Sequence, residues 1–163
     1  IAKKLAVELN ESGFKTVLTR SSTAGLYGTA TSSRKKKDMQ KRKAIIDKEN
    51  PDAVISVHLN YYPSSSRRGA QAFFNENSEE GKTFAQIIQN GLNELPTNER
   101  EYTSLKGDYY LLKCTKAPSV IIECGFLSNP EDEIFLVDEE YQKTLSKRIA
   151  LSVAEYFLAA TNS

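Results

Sequence analysis

Two hydrophobic spacings alternate along this chain, and they divide it into helices and strands. Ile1, Leu5 and Leu9 recur every fourth residue with Ala2 and Ala6 beside them, an amphipathic helix already under way at the first position. Gly13 offers a left-handed stop to that helix, and residues 14–19 (FKTVLT) then read as a strand. Residues 21–33 are rich in Gly, Ala and Thr and read as an irregular loop. Residues 34–48 form a basic helix that turns Met39, Arg42, Ile45 and Ile46 inward and stops before Asn50-Pro51.

The run AVISVHL (53–59) is almost continuously apolar, the pattern of a parallel strand covered on both faces. A loop over 61–68 leads to a shorter strand, GAQAFFN (69–75). Ser78 with Glu79 and Glu80 caps a helix whose stripe is Phe84, Ile87, Ile88, Leu92 and Leu95. Residues 96–107 read as a polar loop and 109–114 as a strand. The second strongly apolar strand is SVIIEC (119–124). Asn129-Pro130-Glu131-Asp132 opens a short helix, and Tyr141, Leu145, Ile149, Val153 and Phe157 stripe the last one. Strands alternating with helices predict a single α/β domain over 1–163, with a mainly parallel, mixed sheet covered by helices on both faces.

Composition changes this picture little. A chain of 163 residues supports one core. A net charge of +1 gives no overall pull toward nucleic acid, and Tyr61 and Tyr62 are the aromatics on the loop after the strand that follows the basic segment. No stretch approaches the ~20 apolar residues of a membrane span. Cys114 and Cys124 lie in apolar surroundings and read as small buried hydrophobes. With a single histidine in the chain, their spacing resembles neither a zinc finger nor a redox pair. Lys35, Lys36, Lys37, Lys41 and Lys43 read as a solvated helix face, with attachment to an anionic wall polymer or partner as the functional alternative.

The candidate chemistry sits at two strand ends. In VISVHLN, Ser56, His58 and Asn60 alternate and so share a face. In SVIIECGF, Glu123 interrupts an apolar run, where a carboxylate costs several kcal/mol unless paired or metal-bound. Both lie at carboxyl ends of strands, where open α/β sheets build their sites. Taken singly, each has a structural reading, as a satisfied histidine or a salt-bridged glutamate. Their joint occurrence points to a site and leaves the reaction open.

The segments GFKTVLTR, RKAIIDKENPDAVISVHLN, GAQAFF and APSVIIECGFLSNPEDE, followed by the closing helix, resemble the zinc-dependent N-acetylmuramoyl-L-alanine amidases in order and spacing. SVHLN and IIECGFLSN are the most specific pieces. Residues 33–42 (SRKKKDMQKR) look most like the spore-cortex, germination-specific branch. The resemblance implies peptidoglycan as substrate, Zn2+ as cofactor and action outside the cytoplasm, in the cell envelope or spore cortex. It makes His58 a zinc ligand and Glu123 the catalytic carboxylate, with Ser56 and Asn60 as candidates for orienting the ring or the substrate.

The family's zinc site also uses a His in a Gly-His-Gly turn and a Glu near the first helix. Neither has a counterpart in this sequence. The resemblance therefore implies that the first strand is missing, that these residues alone lack a complete zinc centre and amidase activity, and that a partner or neighbouring chain covers the exposed sheet edge beside residues 54–59. The competing reading is a metal-free, inactive amidase-like wall-binding or regulatory domain.

Overall fold

The computed structural model describes residues 1–29 and 31–161. Helix α1 (Ala2–Glu11) buries Leu5, Ala6 and Leu9, the predicted stripe. Helix α2 (Arg34–Glu49) follows a run of bends and turns; of the loop expected over 21–33, Ala30 lies outside the described residues. Strand β1 (Val54–Asn60), strand β2 (Gln71–Phe74) and helix α3 (Glu79–Asn93) come next. Then follow a two-residue strand β3 (Leu105–Lys106), a single helical turn α4 (Tyr110–Lys113) and strand β4 (Ser119–Phe126). Helices α5 (Pro130–Val137) and α6 (Glu139–Thr161) close the chain.

The sheet order is β1-β4-β2-β3. β1 runs parallel to β4, β2 antiparallel to β4, and β3 parallel to β2, so the sheet is mixed as expected. The even positions of β4 (Val120, Ile122, Cys124) join Ala72, Phe84, Ile88, Leu145 and Ile149 in the principal core beneath α1, α3 and α6. On the other face Ile121 is buried outside that core, as are Ile46 of α2 and Leu111 and Leu112 of α4. There α4 packs on β4 and α2 packs on α4. This second layer is thin, and it is the layer that borders the site.

Four sequence expectations change. Residues 96–107, expected as a polar loop, end in β3, where Leu105 and Lys106 pair with Phe73 and Phe74. Residues 14–19 form no strand: 14–18 carry no regular secondary structure and Thr19 sits in a bend, with no ladder partner among the described residues. Their polar groups turn back to α1 instead, with Phe14 N–H donating to Leu9 O and Thr16 N–H to Asn10 Oδ1. Residues 109–114 form a helical turn rather than a strand, because Leu111 and Leu112 are both needed against the sheet face and an extended chain would send one outward. β1 is not covered on both faces: His58 and Leu59 are exposed, while all of β4 is buried. The physical reason is position, since β1 lies at the edge of the sheet while β4 is flanked by β1 and β2.

Gln89 replaces part of a β-ladder. Its Oε1 accepts from Ala72 N–H at 2.7 Å and from Gln71 Nε2 at 2.8 Å, and its Nε2 donates to Ala70 O. Asn98 completes the arrangement, with Oδ1 accepting from Ala70 N–H and Nδ2 donating to Ala70 O. Two amide side chains thus satisfy β2 where a neighbouring strand has not yet begun. Gln89 is fully buried, so Gln89→Leu orphans Ala72 N–H at no gain in shape. A loss of roughly 2–4 kcal/mol in urea unfolding is expected. A loss below about 0.5 kcal/mol would show that water replaces the amide.

Candidate active site

The parallel register places His58 opposite Glu123, with Ser56 opposite Ile121. Paired residues on neighbouring strands project to the same face, ~4.8 Å apart at the backbone. The imidazole and carboxylate predicted at two strand ends therefore stand side by side. The register slips between His58 and Asn60, a bulge of the kind that re-aims side chains next to active sites.

The two groups sit in opposite electrostatic conditions. Glu123 is 7% exposed, and its Oε2 has no hydrogen-bond partner among the described residues. Burial raises its pKa above the ordinary glutamate value. It is a desolvated carboxylate that holds its proton more readily than a surface one. His58 is exposed as a residue, yet its ring is partly desolvated. Burial first, and then the positive charges of Arg42 and Arg20, lower its pKa. The imidazole is therefore neutral at neutral pH, with a lone pair available.

Ser56 is placed as the alternation suggested: its Oγ lies 2.9 Å from His58 Nε2, close enough to hold the ring. Asn60 is not brought to the ring. Its Oδ1 accepts from Tyr61 N–H at 2.8 Å and its carbonyl accepts from Leu127 N–H, so it shapes the turn after β1.

Two acidic residues that sequence reasoning missed hold this arrangement together. Asp132 is fully buried. Its Oδ2 accepts from Gly69 N–H at 2.9 Å and from Phe126 N–H at 2.8 Å, tying the loop before β2 to the end of β4. The backbone at Gly125 has φ +150°, and a Cβ there would stand 3.2 Å from Asp132 Oδ2. The glycine after the catalytic candidates is thus required by the close approach of the carboxylate. Asn129 caps α5 through Glu131 and Asp132 N–H and donates from Nδ2 to Ser65 O, binding the loop after β1 to the same corner.

The other residue is Asp38, which splits its carboxylate between Leu26 N–H and Arg42 Nε, both at 2.6 Å. Burial pushes its pKa up, but the hydrogen bonds from Arg42 and Leu26 outweigh that and leave it lowered. Arg42 also donates to Thr19 Oγ1 at 2.9 Å. The only signal in the sequence was the Asp-x-x-x-Arg spacing within residues 33–42, which reads as an ordinary helix pair.

As a metal site these residues fit in part. A neutral imidazole and an orphaned buried carboxylate oxygen are the donor types zinc takes, but a catalytic centre uses three protein ligands. No group of three His, Cys, Asp or Glu side chains able to hold a metal occurs among the described residues.

Comparison with known proteins assigns the fold and the family. The family described as N-acetylmuramoyl-L-alanine amidase matches residues 1–155. The germination-specific N-acetylmuramoyl-L-alanine amidase of Bacillus subtilis is 32% identical over 161 residues, 96% of this chain and 68% of the relative. Among solved structures, the CwlD amidase from Clostridioides difficile, in complex with the GerS lipoprotein, superposes with a TM-score of 0.90 at 32% identity, over 96% of this chain and 82% of that one. The catalytic domain of CwlV from Bacillus (Paenibacillus) polymyxa var. colistinus shares the fold, with a TM-score of 0.80 at 24% identity, over 96% and 80%. The register that joins His58 to Glu123 thus lies in a domain of known kind, and the chain belongs to the N-acetylmuramoyl-L-alanine amidase family.

Proposed function

We propose that this chain acts in zinc-dependent hydrolysis of the amide between N-acetylmuramic acid and L-alanine in peptidoglycan, outside the cytoplasm and in the spore cortex. The observation that carries the reading is the pairing of a neutral imidazole with a desolvated carboxylate, His58 with Glu123, at adjacent strand ends. Likeness to a germination-specific amidase supports the cortex as the setting.

His58 would supply one imidazole ligand to the metal, its ring held by Ser56 Oγ. Bound zinc supplies Lewis acidity to amide hydrolysis. Glu123 Oε2 takes a proton from the attacking water and returns it to the departing nitrogen. Its raised pKa suits the first half of that exchange, because a carboxylate of higher pKa is a stronger base toward the water than an ordinary glutamate. Further donors complete the metal site beyond His58. A protein segment pairs with β1 along the edge that β4 does not occupy, since an open strand edge recruits backbone partners.

The metal-free wall-binding reading has one observation in its favour. Arg42 and Arg20 lie close enough to depress the His58 pKa, and the same field opposes a second cation. Metal analysis separates the two readings. With those further donors in place, His58→Ala is expected to lower both zinc content and activity, and an unchanged zinc stoichiometry would make His58 structural.

Glu123→Gln keeps the size of the side chain and removes its basicity. With the metal site completed by its further donors, muropeptide cleavage should fall by about 10²–10⁴-fold while zinc content stays normal. An active, zinc-loaded variant removes Glu123 from its role.

The same substitution has a stability signature. A folded-state pKa raised above the unfolded one stabilises the fold only while the group is protonated, and that contribution is lost as pH rises through the folded value. Glu123→Gln is therefore expected to be more stable than the parent at neutral pH, by about 1–2 kcal/mol. The gap should close below about pH 4. Urea unfolding at both pH values checks it, and a variant less stable at neutral pH would show that the carboxylate is paired.

A further inference from the structure

Helix α2 carries eight basic and three acidic residues, a charge of +5 in a chain whose net charge is +1. Its first turn holds four consecutive cations and no acid, and Ser33 provides no side-chain cap. Both features oppose the helix dipole, which favours negative charge at this end. Lys35, Lys36, Lys37 and Lys41 are exposed. Lys43, by contrast, pairs with Asp47 four residues on. The four exposed lysines have no acidic partner among the described residues.

Beside two of these lysines the surface is concave and apolar. A groove of about 430 Å³ between α2 and α4 is lined by Lys35, Lys36, Met39, Gln40 and Tyr110. Tyr110 is 48% exposed, although the next two residues, Leu111 and Leu112, turn inward onto the sheet. An exposed aromatic and a half-buried methionine beside unneutralised cations are the makeup of a recognition surface rather than of a merely solvated helix face.

We propose that the groove between α2 and α4 docks an acidic segment of another protein, one that carries apolar side chains between its carboxylates. Charge complementarity selects the acid: Lys35 and Lys36 line the groove with no acidic partner among the described residues. The apolar floor selects a peptide over a uniform polyanion, because a phosphodiester polymer gains nothing from Met39 or Tyr110. The proposal is independent of the amidase reading, since none of these residues touches His58 or Glu123 in a hydrogen bond or ion pair.

Fluorescence polarisation on the full chain tests it with three labelled probes: a synthetic peptide alternating glutamate with leucine and phenylalanine, polyglutamate, and poly(glycerol phosphate). The mixed peptide is expected to bind most tightly and to weaken as salt rises. Lys35→Glu with Lys36→Glu should weaken it by roughly tenfold or more. That double variant should melt no lower than the parent, because it relieves the charge conflict at the helix start. Tyr110→Ser should weaken the mixed peptide and leave polyglutamate unaffected. Three results would overturn the proposal: a folded parent that does not bind the mixed peptide, binding that survives the lysine reversals, or either polyanion binding as tightly as the mixed peptide.

Discussion

The parallel pairing of β1 with β4 requires a carboxylate to occupy the centre of the sheet. β4 is buried along its whole length, and Glu123 lies within it with one oxygen unpartnered among the described residues. A charge so placed works against folding. The surrounding structure is arranged so that the strand end tolerates it: the bulge after His58, the glycine after Cys124, and the Asp132 carboxylate that gathers Gly69 and Phe126. Local instability at a site, offset by order around it, is the usual relation between activity and fold.

Electrostatics extend that constraint beyond the sheet. Arg42 is locked to Asp38 and Thr19 and cannot swing away, so its charge acts steadily on His58. The imidazole stays neutral while the carboxylate beside it stays reluctant to ionise. The pair is poised for proton exchange rather than for a permanent ion pair, and this distinguishes it from the surface salt bridges elsewhere in the chain.

Much of this was legible in the sequence wherever one periodicity dominated. Alternation placed Ser56 and His58 on one face, and a carboxylate in an apolar run marked Glu123. The stripes of α3 and α6 read directly as core. Short apolar runs were less legible: residues 109–114 hold two aromatics, two leucines and a cysteine, which suit a strand or a buried helical turn equally. Residues 14–19 have strand composition, but composition does not supply a ladder partner. Asn60 alternated correctly and was still turned aside, because the bulge breaks the period before it. Asp132, Asp38 and Gln89 were hidden for another reason. Each looks like an ordinary surface residue of a helix, and only the tertiary fold reveals that each satisfies backbone groups far away in the chain.

The central claim is that Glu123 is a desolvated, unpaired carboxylate beside a neutral imidazole. An NMR titration of the side-chain carboxyl resonances of the glutamates, with Glu123 assigned by its loss in Glu123→Gln, measures this directly. The account predicts that the assigned resonance titrates above the ordinary glutamate range. A Glu123 that titrates at or below that range would be a solvated or ion-paired carboxylate, and would contradict the account.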